Sequence, residues 1–153
     1  MREVSLTASA IISFAQELED GSMRFYEELA ERFGEQRETF LAFAKGSKKN
    51  GVLVIRTYRE TISDALEACF GFEGLNLRDY SVEMGLADGV GYSDALRIAI
   101  ELEEVAGRFY LDAADRSQSL LATIPRAFRT VAKKRGKRKL RLQTLHDAVT
   151  AQP

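Results

Sequence analysis

The stretch AQELEDGSMRFYEELA at residues 15–30 returns as AIELEEVAGRFYLDAA at residues 99–114. Eight of the sixteen aligned positions are identical, and one of them places Glu19 opposite Glu103. Within each copy, apolar and small residues recur at steps of three and four, which is the spacing of a helix face that packs inward. Because chance explains so many identities poorly, the repeat indicates two similar amphipathic helices that arose by duplication of a helical hairpin.

The same spacing extends over four long stretches of the chain, and no stretch alternates with the two-residue period of a strand. The predicted helices cover about residues 6–33, about residues 35–69, a stretch that begins near Ser93, and about residues 120–150. Residues 70–91 are rich in glycine and lack a sustained period, which predicts a long connection with one short helical turn near 77–84. Two short connections and one long one predict an all-α, antiparallel four-helix bundle with a single crossover between helices two and three. We expect residues 1–153 to form one domain.

Polar side chains occupy inward positions on all four predicted helices. We call this set the polar layer, and it comprises Glu19, Tyr26, Ser47, Asn50, Glu103, Tyr110, Arg135 and Arg138. Its two glutamates and two arginines balance in charge, and buried charges must be paired and hydrogen-bonded. Because a guanidinium forks readily onto a carboxylate, we expect two Arg–Glu pairs with the tyrosine hydroxyls reaching them. The alternatives are that the glutamates are solvated or that both arginines turn outward.

Glu-Leu-Glu followed by Arg-Phe-Tyr, present in helices one and three, resembles the rubrerythrin branch of the ferritin-like superfamily. The resemblance extends over nearly the whole chain, through the helix lengths, the crossover and the repeat. It implies a homodimer with ferroxidase, peroxidase or oxidase chemistry at two irons. In that family a glutamate on each of these helices binds the di-iron centre, and an aromatic residue follows seven positions later. The matching residues here are Glu19 with Tyr26, and Glu103 with Tyr110.

Helices two and four depart from the family pattern. Each should supply a Glu-x-x-His pair, but Ser47 and Asn50 stand at these positions in helix two, and Arg135 and Arg138 in helix four. The stretches 39–59 and 118–145 contain no aspartate, glutamate or histidine, and the one histidine, His146, lies two turns beyond the second arginine. We therefore predict no metal cofactor and a non-catalytic role, either structural or in binding a partner or ligand. The metal candidates that remain are vestigial, namely Glu19 and Glu103.

An alternative function is a residual metal-dependent oxidoreductase. It would hold iron or manganese with Glu19 and Glu103, either across a dimer interface or with help from neighbouring carboxylates. Those neighbours are Glu17, Glu101 and Glu104.

The predicted fourth helix is strongly basic, since residues 118–145 hold nine lysines and arginines and no acid. Its basic patch comprises Lys133, Lys134, Lys137, Lys139 and Arg141. Such a run is typical of nucleic-acid patches, but it also suits a helix that is solvated or paired with acidic neighbours. We favour the second interpretation, and binding of nucleic acid or another anion through this helix is the alternative.

Composition excludes several classes of protein. One cysteine and one histidine exclude a disulfide scaffold and any site that needs two histidines from one chain. The net charge of −1 points to no polyanionic partner by itself. Apolar runs fall short of the roughly 18 residues of a membrane span, and the chain does not open with a secretory signal. We therefore expect a cytoplasmic protein without membrane association.

Overall fold

The computed structural model describes residues 6–61, 71–72, 75–117 and 123–151. Over these residues the chain forms four long helices: α1 (Ala8–Arg32), α2 (Arg37–Thr61), α3 (Tyr92–Arg116) and α4 (Thr123–Thr150). Short 3-10 turns occur at Gly34–Gln36 and Leu77–Tyr80. Two short strands, β1 (Leu6–Thr7) and β2 (Gly71–Phe72), pair antiparallel with Leu6 opposite Phe72. The predicted four-helix, helical-bundle character is confirmed, and the small strand pair is an addition to it.

The helix ends follow local capping chemistry. Thr7 caps α1, because its Oγ1 accepts the amide of Ala10 at 3.1 Å. The predicted start of α3 near Ser93 is close to the observed start at Tyr92, but the cap position is occupied by Gly91 rather than by Ser93. The Ser93 hydroxyl instead lies 3.3 Å from Nε2 of His146 near the end of α4. The parts of the predicted helices at 62–69 and 120–122 lie outside the described residues.

The helices pack mainly as two pairs. α1 lies along α2 and α3 lies along α4, while α2 also contacts α4. Their inward faces supply one apolar core that includes Phe40, Leu96, Phe109 and Phe128, each at most 1% exposed. Burial of these faces is the main contribution to stability in such a bundle.

The connection before α3 lies against α1 and α3. Its turn places the Tyr80 ring 5.5 Å from that of Phe109, and the Tyr80 hydroxyl donates to Asp112 at 2.6 Å. Farther along, Met84 approaches Gly21 so closely that a Cβ at this glycine would lie 2.7 Å from the methionine methyl. The connection therefore contacts one helix of each pair. In the part of the chain described, no helix combines the length and apolarity that a membrane crossing requires.

Candidate functional site

The polar layer lies in the interior of the bundle, with every member at most 6% exposed. Ser22 of α1, which sequence reasoning left out of the layer, is fully buried there as well. It follows Glu19 by three positions and so shares its helix face, which was the available signal. Its counterpart in the repeat is Ala106, so the two halves of the layer differ at this position.

Arg135 is the centre of the layer. Its Nη1 donates to both carboxylate oxygens of Glu103 at 2.9 and 3.0 Å. Its Nη2 donates to Oε2 of Glu19 at 2.8 Å and to Oγ of Ser22 at 2.9 Å. One guanidinium therefore joins α4 to both α1 and α3. This differs from the expected two separate pairs, because a single arginine takes both glutamates.

Arg138 faces inward too, but it has less contact with carboxylates than Arg135 has. Its Nη1 donates to the Ser47 hydroxyl at 2.7 Å and lies 3.9 Å from Oε2 of Glu103. Burial and the neighbouring charge of Arg135 lower the pKa of Arg138 from its usual value. The second arginine is thus accommodated mainly by a neutral hydroxyl rather than by a carboxylate of its own.

Aromatic faces and a glycine complete the surroundings of Arg138. Its guanidinium carbon lies 5.8 Å from the ring centre of Tyr26 and 5.7 Å from that of Phe43, within range of cation–π attraction. Gly46 lies beside it, and a Cβ there would lie 2.7 Å from Nη2. A glycine in mid-helix, unfavourable by about 1 kcal/mol relative to alanine, therefore leaves room for the buried guanidinium.

The two tyrosines of the repeat bond crosswise. The Tyr26 hydroxyl on α1 donates to Oε2 of Glu103 on α3 at 2.5 Å, and the Tyr110 hydroxyl on α3 donates to Oε2 of Glu19 on α1 at 2.7 Å. Burial and the adjacent carboxylate raise the pKa of each tyrosine well above its usual value. Each hydroxyl therefore keeps its proton and serves as a donor.

Asn50 supplies the remaining hydrogen bond to the two carboxylates. Its Nδ2 donates to Oε1 of Glu19 at 3.2 Å, so all four carboxylate oxygens of the layer accept at least one hydrogen bond. Two buried polar atoms, Oδ1 of Asn50 and Nε of Arg135, have no partner among the described residues. The hydrogen bonds of the layer are made mostly to the two carboxylates. Burying a carboxylate costs more free energy than burying a neutral group such as the Asn50 amide oxygen.

The residues of the layer do not fit the di-iron centre that the family resemblance implies. The Arg135 nitrogens lie 2.8 to 3.0 Å from oxygens of both carboxylates, so a cation already occupies the space between the two glutamates. A divalent ion about 4 Å from one guanidinium would be repelled by about 8 kcal/mol at an effective dielectric constant of about 20. Among the described residues, no group of three or more metal-binding side chains is assembled.

The neighbouring carboxylates do not supplement the pair. Glu17, Glu101 and Glu104 are all solvent-exposed. Glu104 bonds the ammonium of Lys139 at the surface, which lowers the pKa of this carboxyl from its usual value. The suggested contribution of these three residues to a residual metal site is therefore not supported by their placement.

The basic patch divides into two parts. Lys133, Lys134, Lys137 and Arg141 point into solvent, whereas Lys139 turns toward α3 and pairs with Glu104. The expected pairing with acidic neighbours thus occurs at one of its five members among the described residues.

The buried tyrosines predict a loss of stability at alkaline pH. A raised folded-state pKa gives stabilisation that is present below the unfolded-state pKa of about 10 and is lost as the pH rises through the folded-state value. Above pH 10, Tyr26 and Tyr110 should each contribute a slope of about −1.4 kcal/mol per pH unit to the free energy of unfolding. Urea titrations from pH 8 to 11 check this, and the double variant Tyr26→Phe/Tyr110→Phe should show a shallower decline. Equal slopes in both proteins would contradict the assigned hydrogen bonds.

Comparisons with protein-family models, with curated proteins and with solved structures each found no match. The resemblance to the rubrerythrins therefore stays a prediction from the sequence.

Proposed function

We propose that this chain is a ferritin-like bundle, related to the rubrerythrins, in which an arginine has replaced the di-iron centre. It works as a metal-independent structural or partner-binding protein rather than as an oxidoreductase. The observation that carries this proposal is the position of Arg135, which donates to Glu19 and Glu103 at 2.8 to 3.0 Å.

The order of contacts along the helices supports an antiparallel, ferritin-like arrangement of the first hairpin. Glu19 bonds Asn50, whereas Tyr26, later in α1, lies 6.4 Å from Phe40, earlier in α2. Contacts that advance along one helix therefore retreat along the other.

The second hairpin shows the same order. Ser93 meets His146, Glu103 meets Arg135, and Asp115 meets Arg129 at 3.6 Å. Residues 62–91 then connect two hairpins, which agrees with the single long crossover of the ferritin-like topology.

Arg135 supplies what a pair of buried carboxylates requires without a metal. Burial alone would lower its pKa, but Glu103 and Glu19 outweigh burial and raise it well above the usual value. The guanidinium therefore stays positive, and its donors fix the heights of α1, α3 and α4 relative to one another. A guanidinium exchanges no electrons and offers no open coordination position, so the layer functions as a structural connection.

Metal uptake tests the proposal directly. Purified protein should be treated with chelator, loaded anaerobically with Fe(II) or with Mn(II), desalted and examined by elemental analysis. We expect well below one metal ion per folded chain and no shift in the thermal midpoint, because the guanidinium repels the ion.

Uptake near two ions per chain, with oxidation of the iron by peroxide or oxygen, would overturn the proposal in favour of the oxidoreductase. The variant Glu19→Gln/Glu103→Gln is the control, since any metal held by the layer should be lost from it. Homodimerisation stays a prediction from the resemblance, and sedimentation velocity checks it.

A further inference from the structure

A groove of about 530 Å³ lies between α2 and α4. Five cationic side chains and two apolar ones line it, and we call it the cationic groove: Lys45, Lys48, Lys49, Val52, Leu53, Arg56 and Lys134. All five cations are solvent-exposed. The four cations on α2 follow one another at steps of three, one and seven residues, so they form one stripe about 16 Å long.

The cations of the groove have no counter-charge among the residues that the structure describes. Among the described residues, no carboxylate lies within ion-pair distance of any of the five, and neither residues 39–59 of α2 nor residues 123–145 of α4 contain an acid. Some cations elsewhere on the surface do have a carboxylate partner. Examples are Arg97 with Asp94, Arg129 with Asp115, and Lys139 with Glu104.

Positive charge continues from the groove around the outer face of α4. A second, shallower depression of about 360 Å³ lies there, lined by Arg126, Arg129, Thr130 and Lys133. Lys133 is the chain neighbour of Lys134 in the groove, and Lys137 is exposed one turn farther on. The α2/α4 side of the molecule is therefore an extended positive surface, although the net charge of the chain is only −1.

We propose that the cationic groove binds the phosphodiester backbone of a nucleic acid without selecting its sequence. A row of exposed lysines and arginines, with no carboxylate partner in the described ranges, matches the regular negative charge of a phosphate backbone. Neutralising those phosphates releases counterions. None of the described residues that line the groove is aromatic, so they offer no platform on which bases would stack, and contact is through the phosphate backbone.

Two other occupants fit less well. The flat surface of an anionic bilayer would reach the rim of a groove between two helices more readily than its floor. The acidic face of a second copy, carrying residues such as Glu27 and Glu101, would join unlike surfaces and generate an open-ended chain. A narrow polyanion can follow the stripe of α2 while also meeting Lys134 on α4.

Fluorescence anisotropy with a labelled mixed-sequence DNA of about 20 nucleotides, as single strand and as duplex, tests the proposal. At about 50 mM salt we expect a Kd of about 1–100 μM, with little change when the sequence is scrambled. If all five groove cations contact phosphates, log K should fall against log salt with a slope of about −4.5 for duplex.

The variant Lys48→Glu/Lys134→Glu should weaken binding at least tenfold. The control Arg24→Glu/Arg97→Glu makes the same change in net charge at exposed positions of α1 and α3, and it should stay within twofold of wild type. Circular dichroism should confirm that both variants are folded, since all four positions are on the surface.

Three results would overturn the proposal. The first is no binding by wild type at 50 mM salt and about 100 μM protein, and the second is equal weakening by the groove and control variants. The third is binding to phosphatidylglycerol vesicles, or self-association in sedimentation, that the groove variant abolishes in a protein with no affinity for the DNA. Each of these is independent of metal uptake, so the groove and the metal-free core are tested separately.

Discussion

Arg135→Ala should lower the free energy of unfolding by about 3–5 kcal/mol, because it leaves two buried carboxylates without their shared cation. Urea denaturation followed by circular dichroism at pH 7 measures the loss. The control Arg129→Ala removes an exposed ion pair with Asp115 at 3.6 Å, and it should cost less than about 1 kcal/mol. A loss below about 1 kcal/mol for Arg135→Ala would contradict the central position of this arginine.

Comparison of Arg138→Ala with Arg135→Ala distinguishes the loss of a carboxylate's cation from the loss of a buried side chain. From the sequence alone, removal of either arginine should strand a carboxylate and cost the same. The structure predicts that Arg138→Ala costs less, about 1–3 kcal/mol, since the partner left behind is mainly the Ser47 hydroxyl. Equal losses for the two variants would mean that Arg138 compensates Glu103 as fully as Arg135 does.

Guanidinium ion offers a further check on the Arg135→Ala protein. The side chain removed leaves a space bounded by Glu19, Glu103 and Ser22, whose oxygens previously accepted its hydrogen bonds. Low millimolar guanidinium should raise the thermal midpoint of this variant while leaving wild type unchanged, because a bound ligand stabilises only the folded state that holds it. Methylammonium at the same concentration controls for ionic strength.

Introducing the ligand set of the rubrerythrin pattern should create a metal site. The quadruple variant Ser47→Glu/Asn50→His/Arg135→Glu/Arg138→His removes both buried cations and places a Glu-x-x-His pair on α2 and on α4, as the family pattern requires. We expect about two Fe(II) per chain by elemental analysis after anaerobic loading, where wild type takes up essentially none.

The same quadruple variant with Glu19→Gln added is the matched control, and it should bind less iron. Without metal, the quadruple variant carries several buried carboxylates, so we expect it to be stabilised strongly when Fe(II) is present. A folded quadruple variant that takes up no iron would contradict the alignment of Ser47 and Arg135 with the family's ligand positions.

Much of the polar layer was predictable because helical periodicity is local. Glu19, Asn50 and Arg135 each belong to a series of inward positions that recur every three or four residues along their own helix, and all three are buried. What the sequence could not supply is which arginine meets which glutamate. That choice depends on the heights of the helices and on side-chain conformations, which place Arg135 between the carboxylates and Arg138 beside Ser47.

The cationic groove shows the same limit on the surface. The basic run of α4 is visible in the sequence, and so is the absence of acid from residues 39–59 of α2. Only packing shows that Lys48 of α2 and Lys134 of α4 line one groove, while Lys139 turns away to Glu104. These residues are far apart in the chain, and no local pattern relates them.

By itself, the sequence determined four amphipathic helices and the inward placement of two glutamates and two arginines, since each follows from residue type and a 3.6-residue period. The tertiary structure alone decided that Arg135 bridges Glu19 and Glu103, and that Tyr26 and Tyr110 donate across the repeat. The physical reason is that the burial of a residue depends on the helix face that it occupies, which is a local property of the sequence. Pairing depends on the distances between side chains of different helices, since a hydrogen bond forms only when donor and acceptor are about 3 Å apart.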